Sequence, residues 1–151
     1  MNIDREPLIA IVDIGRGNLL SIAQAFNYVG LQCVISSDHD VIQRADAIVL
    51  PGVGAFGDAM QVLNKYDLVP LLRDWAESGK YLIGICLGMQ LLFTESDEFG
   101  TNKGLDLISG NVIKLPNAQR SDDEVYKVPQ VGWNTIYSCP NNIIEWDKTP
   151  L

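Results

Sequence analysis

Residues Tyr81–Phe93 set the strongest limit on how this chain can fold. The stretch reads Tyr-Leu-Ile-Gly-Ile-Cys-Leu-Gly-Met-Gln-Leu-Leu-Phe, and its first three residues form a short apolar run typical of a buried strand. After the cysteine, Leu87, Leu91 and Leu92 recur at the spacing of a helix. The stretch therefore predicts a strand that turns sharply into a helix at the cysteine.

The predicted turn contains the pattern Gly-x-Cys-x-Gly, formed by Gly84, Cys86 and Gly88. This is the nucleophile-elbow pattern with cysteine in the place of serine. Glycines are needed because the two backbones approach closely, and a Cβ at either flank would clash. A cysteine at a helix N-terminus faces unpaired N–H groups, which favours the thiolate, and the N–H of Leu87 can donate to an oxyanion. We predict that Cys86 is a nucleophile; the alternative is a buried cysteine at an ordinary turn.

The composition is that of one ordinary globular domain. With 151 residues, 47% of them hydrophobic and 20% charged, the chain is long enough to bury a core. A net charge of −8 argues against nucleic acid or an anionic membrane surface as a partner. No apolar run approaches the roughly 20 residues of a membrane span, and the polar N-terminus is unlike a signal peptide. Three scattered cysteines do not form a disulfide framework, so we expect Cys33 and Cys139 to be inert thiols and the protein to be cytoplasmic.

Strands and helices alternate through most of the chain. Each predicted strand is apolar throughout, which is typical of a parallel sheet covered on both faces. The strands are Leu8–Val12, Gln32–Ile35 and Ala47–Leu50, and the helices are Leu19–Val29, Asp38–Arg44, Ala59–Asn64 and Leu68–Ser78. We predict an α/β fold, a single domain over residues 1–151 with a doubly wound, mostly parallel sheet and helices on both faces. Further strands at Leu107–Leu115 and Val128–Tyr137 predict appended β-hairpins.

Two glycine-rich loops follow predicted strands. Gly15 and Gly17 follow the first strand, but the third glycine of a dinucleotide-binding loop is absent, so nucleotide binding is a weak interpretation. Pro51–Asp58 follows the third strand and reads Pro-Gly-Val-Gly-Ala-Phe-Gly-Asp. Its glycines free backbone N–H groups to approach a ligand at the carboxyl end of the sheet. The alternative for this segment is a flexible connection to the next helix.

Together these motifs resemble those of the class I (triad) glutamine amidotransferases. More narrowly, they are similar to the glutaminase subunits of imidazole glycerol phosphate synthases. The resemblance extends from about Leu8 to Trp146, which is nearly the whole chain. Its most specific segments are Asp13–Asn18, Leu50–Met60, Gly84–Phe93 and Lys127–Asn134.

The resemblance implies a catalytic role for Cys86, with no cofactor and no metal. Cys86 matches the nucleophile that attacks the side-chain amide of glutamine, forming a glutamyl thioester that water then hydrolyses. The oxyanion donors that the resemblance implies are Gly52, Val53, Gly54 and Leu87. The positions that match residues holding the substrate glutamine are Gly52, Gln90 and Glu98. From the residues alone, the alternative for Glu98 is a solvated charge in an acidic turn, and a glutamine in the position of Gln90 is more often an exposed helix residue.

The family delivers ammonia to a (β/α)8-barrel cyclase or synthase subunit, so the resemblance implies such a partner. The positions that match the docking face are Pro129, Gln130, Trp133 and Asn134. A Trp packed in the protein's own core is the alternative for Trp133. Gln130 stands where the commonest family sequence has histidine, which suggests a variant partner, such as one that aminates a surface sugar.

The family's catalytic histidine and glutamate, a His-x-Glu motif, have no match in this sequence. The only histidine, His39, follows the second strand and is expected to be a surface turn residue. A thiol nucleophile needs a base that takes and returns its proton. We therefore expect a C-terminally incomplete glutaminase domain that is inactive by itself. The alternatives are a non-catalytic subunit that docks on the synthase, a site completed by a second polypeptide, and an unrelated cysteine hydrolase.

Overall fold

The computed structural model describes residues 5–115, in which a parallel sheet is the central element. Its strands run in the spatial order β2-β1-β3-β4, and every neighbouring pair is parallel. The strands are β1 (Leu8–Val12), β2 (Gln32–Ser36), β3 (Ala47–Gly52) and β4 (Tyr81–Cys86). Because β1 and β3 are neighbours while the chain proceeds outward from each, the order reverses between them, as in a doubly wound sheet. The predicted parallel α/β architecture is confirmed.

Helices cover this sheet on both faces. They are α1 (Leu19–Tyr28), α2 (His39–Gln43), α3 (Phe56–Lys65), α4 (Leu68–Glu77) and the single turn α5 (Leu87–Gln90). Side chains alternate between the two faces along each strand. Ile11 and Val49 pack on one face against α1, whereas Val12 and Leu50 lie in the core with residues of α3 and α4.

A second, smaller sheet follows α5. It consists of β5 (Phe93–Ser96), β6 (Asn102–Lys103) and β7 (Ile108–Val112), in the order β6-β5-β7. β5 and β6 form an antiparallel hairpin that the sequence pattern did not predict. The predicted strand Leu107–Leu115 is present as β7, but it is parallel to β5 and is not paired in a hairpin with it. Strand β5 lies in a segment for which the sequence pattern indicated a helix end and a polar turn. The predicted strand Val128–Tyr137 lies outside the described residues.

The helix predicted after the cysteine is shorter than its apolar spacing indicated. α5 ends at Gln90, and Leu91 and Leu92 are buried beyond it. Their carbonyl oxygens accept hydrogen bonds from the backbone N–H groups of Leu105, Leu107 and Ile108 at 2.8–2.9 Å. The chain leaves the helix because these tertiary partners take the carbonyl groups, which periodicity cannot reveal.

The prediction that Tyr81–Ile83 forms a strand is confirmed, but the prediction that this strand is buried was wrong. The residues form a strand, but β4 is at the edge of the sheet within residues 5–115, and Tyr81 and Ile83 are 68% and 46% exposed. An apolar run of this length fixes the strand but not its position in the sheet.

Candidate active site

Cys86 is the last residue of β4 and immediately precedes α5. Its backbone has φ of 55° and ψ of −117°, a conformation that residues with a Cβ rarely adopt. Such strain persists only where the surrounding structure imposes it, and it is typical of a nucleophile at a strand-to-helix elbow. The thiol is exposed to solvent. Cys86 therefore has both the backbone conformation and the accessibility that the sequence motif predicts.

The flanking glycines are required by contacts with backbone atoms. A Cβ built on Gly88 would lie 1.7 Å from the carbonyl oxygen of Leu50, and one on Gly84 would lie 2.5 Å from the Cα of Met89. No side-chain rearrangement can relieve either clash. Without these Cβ atoms, α5 packs directly on the backbone of β3, so the elbow and the end of β3 form one rigid unit.

Gly52 is paired with Cys86 at the final register position of β3 and β4. A Cβ on Gly52 would lie 3.1 Å from the Cβ of Leu87, the first residue of α5. The chain then continues through Val53, which is exposed, and Gly54, which has φ of +103°. We call residues Pro51–Ala55 the oxyanion loop. The structure thus brings the four predicted oxyanion positions to the same edge of the sheet as Cys86.

An open cleft of about 310 Å³ lies beside Cys86. Its lining includes Cys86, Gly52 and Val53, together with residues of α1 and the loop before it: Gly17, Asn18, Ser21, Ile22 and Ala25. None of these five residues was predicted to be part of the site. The signal was available, because Gly17 and Asn18 follow β1, and loops at the carboxyl ends of neighbouring parallel strands adjoin one another.

Glu98 and Gln90 have different surroundings. Glu98 lies in the turn between β5 and β6, and its carboxylate accepts a hydrogen bond from the backbone N–H of Phe56 at 2.8 Å. Because Phe56 is the residue that follows the oxyanion loop, this contact places the Glu98 carboxylate beside the end of that loop. Gln90 is half-buried at the end of α5, one turn after Cys86. Neither residue lines the cleft described above.

His39 follows the strand at one lateral edge of the four-stranded sheet, and Cys86 ends the strand at the opposite edge. His39 is the first residue of α2, which follows β2, and two strands separate β2 from β4. Three strand spacings correspond to about 14 Å. Its Nε2 is 2.9 Å from the carbonyl oxygen of Tyr66. His39 therefore has a structural contact and no access to Cys86.

Among residues 5–115, no group of three or more His, Cys, Asp or Glu side chains is arranged to hold a metal ion. Within the same range, no helix is long and apolar enough to cross a membrane. The predicted docking residues Pro129, Gln130, Trp133 and Asn134 lie outside the described residues.

Comparison with known proteins gives a consistent family match. The family model "Glutamine amidotransferase class-I" matches residues 10–146. Among curated relatives, the imidazole glycerol phosphate synthase subunit HisH of Halalkalibacterium halodurans is 44% identical over 136 residues, covering 89% of this chain and 63% of that protein. The HisH subunit of Syntrophotalea carbinolica is 48% identical over 130 residues, covering 85% of this chain and 63% of that protein. The chain thus spans less than two thirds of the length of these relatives.

Solved structures give the same fold at low sequence identity. A crystal structure of a glutamine amidotransferase has a TM-score of 0.61 at 18% identity and covers 70% of this chain and 55% of that one. A peptidase E-like protein from Listeria monocytogenes has a TM-score of 0.58 at 13% identity, covering 72% of this chain and 66% of that chain. At these identities the likeness concerns the fold alone.

Proposed function

The chain belongs to the class I glutamine amidotransferases, and on that premise we propose that it is the glutamine-hydrolysing component of an imidazole glycerol phosphate synthase. The observation that carries this proposal is the strained backbone of Cys86, which is paired with Gly52 at the carboxyl edge of the sheet. An exposed cysteine beside a glycine-rich loop is suited to acyl transfer, because the loop's backbone N–H groups can act as oxyanion donors.

The chemistry follows from this arrangement. The Sγ of Cys86 attacks the side-chain amide carbon of glutamine, and the carbonyl oxygen becomes an oxyanion. The N–H of Leu87 and those of the oxyanion loop stabilise that charge, each such donor contributing roughly 3–4 kcal/mol in well-studied enzymes. The C–N bond then breaks, and the nitrogen takes up the proton that the thiol gave up and leaves as ammonia. Water hydrolyses the remaining thioester to glutamate and the free thiol.

Substrate recognition is assigned to residues on either side of this centre. One oxygen of Glu98 is engaged by the N–H of Phe56, which leaves the other to pair with the substrate's ammonium group. Gln90 and Gly52 are assigned to the remainder of the glutamine molecule. His39 lies about three strand spacings from the elbow, so we do not assign it as the base.

The destination of the ammonia is a finer part of the proposal. Relatives are named as synthase subunits, so we assign this protein a (β/α)8-barrel synthase partner in the cytoplasm. The docking residues are those that the resemblance implies: Pro129, Gln130, Trp133 and Asn134. Gln130 stands where histidine is the commonest residue in the family, so a synthase that aminates a surface sugar is the second candidate partner. Binding titration against both kinds of synthase, with parent and Trp133→Ala, distinguishes them.

The nucleophile is tested with a chloroketone analogue of glutamine. The thiolate displaces chloride from the reagent and forms a stable thioether, which mass spectrometry locates. We expect one adduct at Cys86, slowed by added glutamine, absent from Cys86→Ala and unchanged in Cys33→Ala. Equal labelling of Cys86→Ala and the parent, or labelling that glutamine does not slow, would refute the proposal.

A further inference from the structure

The loop between β1 and α1 lies against the oxyanion loop. We call residues Asp13–Asn18 the first loop. A Cβ built on Gly17 would lie 3.9 Å from the backbone N of Gly52 and from the Cβ of Pro51. The first loop is itself held in shape, because Asp13 accepts a hydrogen bond from the N–H of Gly15 at 2.7 Å. It therefore provides a defined surface beside the backbone that carries the oxyanion donors.

Arg16 extends this contact across the oxyanion loop. Its Nη1 lies 3.0 Å from the position that a Cβ on Gly54 would occupy. The same Nη1 is 3.3 Å from the Oδ2 of Asp58, in the first turn of α3. The guanidinium thus crosses over Gly54 and connects the segment before the oxyanion loop in sequence with the helix after it.

We propose that Arg16 is a positioning residue for the oxyanion loop, an inference that rests on the proposed glutaminase chemistry. Gly54 has φ of +103°, and a glycine has many other backbone conformations available. The Arg16–Asp58 ion pair restricts the backbone at Gly54, and the contact with Leu87 of α5 restricts it at Gly52. Donors that are already fixed stabilise an oxyanion without reorganisation at the moment of reaction.

The solvent exposure of the Arg16–Asp58 ion pair predicts how strong the pair is. The Arg16 and Asp58 side chains are 43% and 53% exposed. An exposed ion pair is modest in strength and is weakened by salt. The role of Arg16 should therefore appear as a graded, salt-dependent effect on the reaction at Cys86.

Two electrophiles separate this role from the reactivity of the thiol itself. The chloroketone analogue of glutamine passes through a tetrahedral adduct whose oxygen carries negative charge, whereas iodoacetamide loses iodide in a direct displacement. The ratio of the two alkylation rates at Cys86 reports on the oxyanion loop. We expect Arg16→Ala to lower this ratio about fivefold, at the upper end for an exposed pair, and Arg16→Lys to lower it less.

Asp58→Asn tests the pair from its other side. It should lower the ratio by a similar factor, and the double variant Arg16→Ala/Asp58→Asn should be no worse than either single one. About 1 M salt should bring the parent close to Arg16→Ala while leaving that variant unchanged. Arg44→Ala, which removes an exposed positive charge at the end of α2, is the matched control and should match the parent.

The outcomes distinguish this inference from the proposed function. If the parent is labelled at Cys86 with glutamine protection but the ratio is the same in Arg16→Ala, Arg16 has no positioning role and the inference is wrong. Equal loss of both alkylation rates in Arg16→Ala would also overturn it, since the oxyanion loop would not be the part affected. If the parent itself is not labelled selectively, the proposed function fails first.

Discussion

The carboxylate of Glu98 caps the start of α3 by accepting a hydrogen bond from the backbone N–H of Phe56 at 2.8 Å. The N-cap residue of this helix is Ala55, whose side chain cannot accept a hydrogen bond. Glu98, 42 positions after Phe56 in the chain, therefore supplies the cap. The negative charge also interacts favourably with the positive end of the helix dipole. Because α3 directly follows the oxyanion loop, this one contact connects the β5–β6 turn to the candidate active site.

Replacing Glu98 should lower the free energy of unfolding. We expect Glu98→Ala to cost about 1 kcal/mol, as is typical for loss of a helix cap. Glu98→Gln keeps an acceptor oxygen but loses the charge, so it should cost about half as much. Urea denaturation with a fluorescence or circular-dichroism signal measures both values.

The neighbouring residue offers a matched control for this test. Asp97 is an exposed acid in the same turn, and Asp97→Ala should change the free energy of unfolding by less than about 0.5 kcal/mol. If Glu98→Ala is as stable as Asp97→Ala, the hydrogen bond to Phe56 does not contribute to stability, and Glu98 is then available for substrate alone.

Gly88 should not tolerate a side chain. The 1.7 Å approach of a built Cβ to the Leu50 carbonyl oxygen requires the backbone to move, so Gly88→Ala should cost at least about 3 kcal/mol. Gly57→Ala is the comparison, because its built Cβ meets a side-chain atom, the Oδ1 of Asn102, at 2.6 Å. There only the Asn102 amide has to shift, which weakens its hydrogen bonds to the carbonyl oxygens of Glu98 and Gly100, both at 2.8 Å. Because alanine also favours the helix, Gly57→Ala should cost about 1–2 kcal/mol, less than Gly88→Ala. Thermal unfolding of the two variants checks this, and equal melting temperatures would contradict the close packing of α5 on β3.

The sequence was sufficient to predict the parallel sheet and the elbow. Continuous apolar strands, a glycine at each flank of Cys86 and a glycine-rich segment after β3 all depend on local sterics, which local patterns record. The N-cap of α1 is another local feature, since Asn18, a residue type favoured at that position, accepts a hydrogen bond from the N–H of Ser21.

The contacts that the sequence could not predict are all non-local. The end of α5 is set by the N–H groups of Leu105, Leu107 and Ile108, which lie far along the chain. The start of α3, three residues before the predicted Ala59, coincides with the cap from Glu98. Likewise, the cleft beside Cys86 includes α1 residues because β1 and β3 are spatial neighbours. Such relationships depend on strand order, which hydrophobic periodicity does not encode.

Replacing His39 should change the free energy of unfolding but not the reactivity of Cys86. Its ring can donate a hydrogen bond from Nε2 to the Tyr66 carbonyl oxygen at 2.9 Å, so His39→Ala should cost about 1 kcal/mol. The rate at which the chloroketone alkylates Cys86 should be unchanged, because two strands separate the residues. Gln43→Ala, an exposed position on the same helix, controls for the loss of a side chain. Slower alkylation in folded His39→Ala would restore His39 as a candidate base.

The pair formed by Glu95 and Lys103 predicts how stability depends on pH. Lys103 Nζ donates to Glu95 at 2.6 Å across β5 and β6. This hydrogen bond and the charge of Lys103 hold the pKa of Glu95 below its ordinary 4.5. The same contact raises the pKa of Lys103 above its ordinary 10.5. Each shift means that the folded protein favours the charged form of the residue more than the unfolded chain does.

The sign of each shift fixes the pH range in which the pair is stabilising. The contribution of Glu95 is present above 4.5 and is lost as the pH falls through its lowered pKa. That of Lys103 is present below 10.5 and is lost as the pH rises through its raised pKa. The difference in free energy of unfolding between the parent and Lys103→Met should therefore be largest between these limits and should shrink in strong acid and strong base. Urea titrations across pH measure it, with Lys65→Met on α3 as the control. Protonation of Glu95 removes one of the two charges of the Glu95–Lys103 pair. If the difference in free energy of unfolding stays constant as the pH falls below 4.5, the pair does not stabilise the hairpin.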